Sequence, residues 1–276
     1  MSSDDNDWWW DAAWNPVGGC SHMSPGCTNC VAPPFIASHT HPTGDVHQGV
    51  ITRVKGKWVF NGKLNVLPDR HRSWTFPLDW KGAEHPKRGP GRQSLIFVVD
   101  AGDLFIEGRP DDLISRVIAT VVASRYGHIA ELVTKRTERM AQFLTTLNPR
   151  TVDRWQPRIW TAFSAENQEW FDRRWEDMRR LVDTGWFTFV SLALLGPVIL
   201  PDDFLSLGKR TWVIVGGEHR VPGARDMDPM WARSIRDQCK SASASAGIPF
   251  FFKQMTKDAP IPPDLVGIRQ FPALDV

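Results

Sequence analysis

The sequence predicts an α/β fold of consecutive strand–helix units around one parallel sheet, and three observations predict it. Short β-branched or aromatic runs recur at 95–99, 128–133, 158–163, 186–190, 211–215 and 249–252, which makes about six strands. Their starts stand about 25–40 residues apart, room for a strand, a crossover helix and two loops, and such crossovers make successive strands parallel. The segments between them carry apolar residues at helical spacing. The length of 276 residues also suits an α/β barrel of roughly 250 residues folded as a single domain, 1–276.

The start of the chain mixes Ser, Asp and Asn with Trp8, Trp9 and Trp10. It lacks the basic start and apolar stretch of a secretion signal, which points to the cytoplasm. A Gly-rich and cysteine-bearing stretch follows at 18–30. Residues 31–94 then interrupt the alternation, with Pro33, Pro34, His39, His41, Pro42 and His47, and read as an insertion. Within it, the runs 50–54 and 57–60 flank Lys55-Gly56, a hairpin signal. Residues 84–92 are basic (Lys87, Arg88, Arg92) and rich in Gly and Pro, as an exposed loop would be.

Pro110 opens a helix whose apolar stripe is Leu113, Ile114, Val117, Ile118, Val121 and Val122. A later helix carries Trp170, Phe171, Trp175, Met178 and Leu181 on one side, leaving Asp172, Arg173, Arg174 and Glu176 to face water. In the next-to-last unit Asp228 caps, Pro229 starts, and Trp231, Ile235, Cys239 and Ala242 recur every three or four residues. Residues 255–276 form a C-terminal extension. These helices have the pattern of a barrel's outer layer.

With 42% apolar and 23% charged residues, intrinsic disorder and fibrous structure are excluded. The 33 basic residues nearly balance the 31 acidic ones, so no global field selects nucleic acid or membrane. The most apolar stretch, 185–200, is 16 residues long and broken by Gly196 and Pro197, too short to span a bilayer. The 14 Trp against one Tyr carry no functional reading in the sequence.

The sharpest constellation is Cys20, Cys27 and Cys30, a C-x6-C-x2-C spacing within eleven residues. In a reducing compartment such crowding points to metal or redox chemistry rather than disulfides. Gly18, Gly19, Pro25 and Gly26 supply the tight turns that bring three sulfurs inward. The spacing leaves open a [4Fe-4S] cluster with one free iron, a Cys3His zinc site with His22 as fourth ligand, or inert buried thiols. Cys239, on an apolar helical stripe, reads as core. His39, His41 and His47 form a weakly specific trio.

Further motifs stand in order along the chain: Trp14-Asn-Pro-Val-Gly-Gly-Cys20, Ser24-Pro-Gly-Cys27-Thr-Asn-Cys30, Asp103-Leu-Phe105 and Thr134-Lys-Arg136-Thr-Glu-Arg139-Met140. Leu194-Leu-Gly-Pro197, Trp212-Val-Ile-Val-Gly-Gly-Glu218 with Pro222-Gly-Ala-Arg225, and Phe250-Phe-Phe-Lys-Gln254 follow. From Trp14 to Gln254 the chain resembles the phage and bacterial three-cysteine-motif family, long without an assigned function and grouped with the radical S-adenosylmethionine (SAM) enzymes. The resemblance implies an open or partial TIM-like barrel with the cysteine loop after the first strand. It implies that Cys20, Cys27 and Cys30 each bind one iron of a [4Fe-4S] cluster, while the fourth iron chelates the amino and carboxylate groups of SAM. Reductive cleavage of SAM would then yield methionine and a 5′-deoxyadenosyl radical that abstracts hydrogen from substrate. The chain departs from relatives at Val31-Ala32-Pro33, where they carry Tyr-Ala-Glu, and at Asn29, where an aromatic residue is common. It also lacks a Glu-Pro pair near Ser191-Leu-Ala193.

Candidate SAM- or substrate-binding residues sit at expected strand ends: Asp100 and Asp103, Lys135 with Arg136, Ser164 and Glu166, and Gly216, Gly217 and Glu218. Lys253 and Gln254 close the last strand. The leading expectation is a radical SAM enzyme of isomerase or base-modifying type, acting on a modified nucleobase such as an amino-acid adduct of thymine in phage DNA. The basic loop with Lys87, Arg88 and Arg92 would touch phosphates, and a flavodoxin- or ferredoxin-type donor would supply electrons. The alternatives are a zinc-stabilised nucleic-acid-binding or partner protein, and a radical SAM repair enzyme.

Overall fold

The computed structural model describes residues 8–38, 44–219, 221–242 and 247–273. The N-terminal part contains β1 (Ala12–Trp14), β2 (Val17–Gly18), α1 (Ala32–Ser38), β3 (Ile51–Val54), β4 (Lys57–Phe60), β5 (Asn65–Val66) and α2 (Phe76–Asp79). Strands and helices then alternate: β6 (Leu95–Val98), α3 (Asp111–Val122), β7 (Ile129–Thr134), α4 (Thr137–Thr145), α5 (Pro149–Trp155), β8 (Ile159–Ala165) and α6 (Gln168–Asp183). The last units are β9 (Phe187–Ala193), α7 (Asp202–Leu205), β10 (Val213–Gly216), α8 (Pro229–Ser241) and β11 (Phe250–Phe252).

Seven strands form one parallel sheet in the order β1-β6-β7-β8-β9-β10-β11, curled into the half-barrel of an open TIM-like fold. All six expected runs are strands of this sheet. The seventh is β1, only three residues long, whose Ala13 pairs with Phe97 at the edge. Side chains alternate between the two faces of each strand. One set, with Ile96, Leu132, Phe163, Val190 and Val213, shares a core with the helices. The α3 stripe expected from the sequence is part of it, with Ile114, Val117, Ile118 and Val121 fully buried, and Pro110 stands at the N-cap just before that helix.

The opposite, concave face is filled in its lower half by aromatic rings. Trp160, Phe189 and Trp212 rise from the strands, and Trp9 and Phe271 close over them from the two ends of the chain. This packing accounts structurally for several of the tryptophans. The C-terminal extension runs beside β11: Phe252 N–H donates to Ile268 O and Gln270 N–H to Phe250 O. That contact covers an otherwise open sheet edge.

Within the insertion, β3 and β4 form the expected hairpin, with Lys55 and Gly56 at φ 47° and 82°. Two positive φ values in a two-residue turn match the twist of the flanking strands. One expectation about a charged residue is corrected. Arg174 does not face water; it is 2% exposed because it pairs with a carboxylate described below. The basic loop 84–92 lies at the amino ends of the strands, away from the cysteine loop. Lys87 N–H donates to Asp11 Oδ1, and the Arg88 guanidinium packs over the Trp160 ring at 5.0 Å while Nε donates to Pro272 O. No helix among the described residues is long and apolar enough to cross a membrane.

Candidate functional site

In a parallel sheet every strand delivers its carboxyl end to the same rim, and the candidate residues gather there. The chain leaves β1, makes the short β2, and reaches Cys20 directly after Gly19, whose bridge to Gly102 extends the parallel pairing. Asp103 follows β6, Lys135 and Arg136 follow β7, Glu166 follows β8, Glu218 follows β10, and Lys253 follows β11.

Three buried carboxylates at this rim clamp the cysteine loop. Glu166 accepts from Gly26 N–H (3.2 Å) and from Arg174 Nη1 (3.0 Å). A Cβ on Gly26 would stand 3.1 Å from Glu166 Cδ, so only glycine fits without displacing the anchor. Glu218 accepts from Asn29 Nδ2 (2.8 Å), from Arg225 N–H (2.7 Å) and from the Arg225 guanidinium, which also donates to Pro25 O (2.8 Å). Burial alone would raise the Glu218 pKa; the Arg225 and Asn29 hydrogen bonds outweigh it and hold the group below the usual range.

Asp103 is the third clamp. It accepts from Phe105 N–H, Thr134 Oγ1 and Arg136 Nη1 at 2.9, 2.7 and 3.0 Å. Arg136 in turn donates through Nη2 to Ser21 Oγ (2.7 Å) and lies 3.8 Å from Cys20 Sγ. Arg109, buried beneath, donates to Gly18 O and Asp103 O. Asp100 accepts at 2.5 Å from Nδ2 of Asn15, which lies between β1 and β2, ahead of the cysteine loop.

The thiols are free and partly buried, and they act on one another electrostatically. Arg136, 3.8 Å from Cys20 Sγ, favours the Cys20 thiolate, and the Lys135 charge favours that of Cys30. Burial, with the Asp103 charge, pushes Cys20 up to about 12 despite Arg136, and burial pushes Cys30 up as well. The bare thiolates of Cys20 and Cys30 are therefore disfavoured. Among the described residues no three His, Cys, Asp or Glu side chains converge on a single-ion position. His22 is exposed and faces Thr28 Oγ1 at 3.5 Å.

Above the aromatic floor, the concave face turns polar at the rim. Ser164 and Ser191 are register partners on β8 and β9. Lys135 and Lys253 continue the inward-facing series of β7 and β11. Burial and then the Lys135 charge lower the Lys253 pKa to about 8. Among the described residues no carboxylate acts on it, so the mouth of the half-barrel presents cationic and hydroxyl groups suited to an anion.

A family model described as a protein of unknown function, DUF5131, matches residues 6–261. The chain belongs to the DUF5131 family. No curated protein and no solved structure matches it.

For this DUF5131 chain the structure brings Cys20, Cys27, Cys30, Asp103, Lys135, Glu166 and Glu218 to one rim. Asp103, Glu166 and Glu218 are engaged with partners of the chain itself. Gly217 is needed by the chain too: a Cβ there would meet Thr256 N at 2.6 Å, and at Gly216 it would meet Gln254 Nε2 at 3.0 Å. His39 and His41 lie outside the described residues, and His47 is buried in the insertion. Sequence reasoning missed the roles of Asn29, Arg174 and Arg225. Asn29 stands where an aromatic residue was expected; besides Glu218 it contacts Gly223 O (2.8 Å) and Lys57 Nζ (2.9 Å). A polar residue inside the cysteine spacing was the one visible signal of that link.

Proposed function

We propose that this protein is a radical SAM enzyme whose Cys20, Cys27 and Cys30 hold a [4Fe-4S] cluster with one open iron. The observation that carries the reading is that three thiols lie on one loop pinned by Asp103, Glu166 and Glu218, with cations set into the same clamps, Arg136 standing 3.8 Å from Cys20 Sγ. Three thiolates and a cluster are collectively anionic, and a buried anion needs such counter-charges. When bound, the cluster supplies the electron that splits SAM and so starts hydrogen abstraction from substrate.

The chain's own residues orient and shield. Arg136, through Ser21 and Asp103, fixes the start of the loop; Glu166 fixes its middle at Gly26; Glu218, through Asn29 and Arg225, fixes its end. Lys135, Lys253, Ser164 and Ser191 receive the anionic end of the bound ligand, which on this reading is the SAM carboxylate. The rings of Trp160, Phe189 and Trp212 keep water from beneath the mouth. The substrate on this reading is a modified nucleobase, a thymine carrying an amino-acid adduct in DNA, and the reaction a rearrangement. A flavodoxin- or ferredoxin-type donor supplies electrons, and the setting is the cytoplasm.

Substitution tests the assignment. In protein purified without oxygen, Cys20→Ala, Cys27→Ala and Cys30→Ala each lose iron and SAM cleavage, whereas Cys239→Ala, altered in the helix core, keeps both. Full iron and cleavage in Cys27→Ala would overturn the site. One zinc per chain, lost on His22→Ala, would favour the zinc-stabilised binding protein instead.

A further inference from the structure

The loop at 84–92 is at the wrong end of the barrel to bring nucleic acid to the cysteines, but another basic element stands beside them. Between residues 46 and 68 the chain carries Arg53, Lys55, Lys57 and Lys63 and no acidic residue. In a chain with 33 basic and 31 acidic residues this is a local field rather than a reflection of overall charge. The structure gathers these residues on and around the β3–β4 hairpin, where all four are exposed.

Arg53 and Trp58 are direct cross-strand partners and therefore share one face of the hairpin. The Arg53 guanidinium stands 5.8 Å from the Trp58 ring centroid, and Trp58 remains 39% exposed. Lys57 points from the other face and donates to Asn29 Oδ1 at 2.9 Å. Asn29 lies between Cys27 and Cys30, so the tip of the hairpin is tied directly to the cysteine loop. An exposed aromatic ring flanked by cations offers a stacking platform for a base and counter-charges for its phosphates.

We propose that the β3–β4 hairpin grips a single-stranded stretch of nucleic acid, with Trp58 stacking on a base beside Arg53, and Lys55 and Lys63 pairing with phosphates. That the held strand is the substrate rests on the radical SAM reading; that the hairpin binds a strand does not. Docking of an acidic protein would use the same cations and would also bury the Trp58 ring, so binding of a strand against binding of an acidic polypeptide separates the two.

The test is fluorescence anisotropy of a labelled thymidine strand of about 12 nucleotides, a length within the usual site size. Full-length protein is compared with Trp58→Ala and with Lys55→Gln/Lys63→Gln, each checked for an unchanged melting temperature. Lys57 is left in place because it also holds Asn29. The expected results are a loss of about tenfold or more in affinity for Trp58→Ala and a drop of about 0.7 per removed cation in the log–log salt slope for the double variant. Reductive SAM cleavage without the strand stays at the wild-type rate in both variants.

Wild-type affinity in both variants, or no strand binding by the unaltered protein, overturns the proposal. Equal capture of polyglutamate overturns it in favour of an acidic protein. Trp58-dependent strand binding by a protein that holds no iron upholds the hairpin assignment and sinks the enzyme reading.

Discussion

Glu131 is fully buried on the concave face, and neither of its carboxylate oxygens has a hydrogen-bond partner among the described residues. Burial, then the Asp11 charge, raises its pKa well above the ordinary value, with Arg88 only partly offsetting them. Folding thus favours the protonated acid. Stability from this group is fully present below its unfolded pKa and is lost at about 1.4 kcal/mol per pH unit as pH rises above it. Glu131→Gln, which cannot ionise, should match the wild type in denaturant unfolding at pH 4 and exceed it at pH 7. The same offset at both values would contradict this account. Glu166 shows the opposite case, a buried carboxylate with a buried partner: the side chains of Glu166 and Arg174 are 1% and 3% exposed. Glu166→Gln leaves Arg174 unpaired and should cost about 3–5 kcal/mol, read from the urea midpoint. Because Glu166 also anchors Gly26, the variant should hold less iron. An unchanged midpoint would contradict the clamp. None of this pairing was visible in the sequence. Helical periodicity leaves Arg174 to face water, since the pattern within α6 cannot register a carboxylate that precedes the helix and turns back onto it.

At the scale of elements the sequence is more legible, because strands and caps depend on neighbours close in the chain. The six β-branched and aromatic runs became β6–β11, and Lys55-Gly56 became a hairpin turn. β1 was not marked, since three residues held at a sheet edge carry too little pattern to stand out. The cap of α8 was readable to the residue: Asp228 Oδ1 accepts from Met230 N–H at 2.8 Å, with Pro229 starting the helix. Asp228→Ala should lower stability by about 1 kcal/mol, measured by thermal or denaturant unfolding. No change would mean that α8 is held by packing alone.

For the whole molecule, the half-barrel divides its concave face into an aromatic floor and a polar rim, and the chain's two ends seal the floor with Trp9 and Phe271. The cysteine spacing and the rim residues were legible because the strands deliver them to one end. The clamps between them were not, because Glu166 and Gly26 meet across 140 positions and Glu218 and Asn29 across 189. The central claim, that this rim holds a cluster with an open iron, is tested most directly by metal analysis of protein purified without oxygen, followed in the same sample by reduction with SAM. The account predicts about four irons with matching sulfide per chain, and release of 5′-deoxyadenosine. One zinc, no sulfide and intact SAM would contradict it.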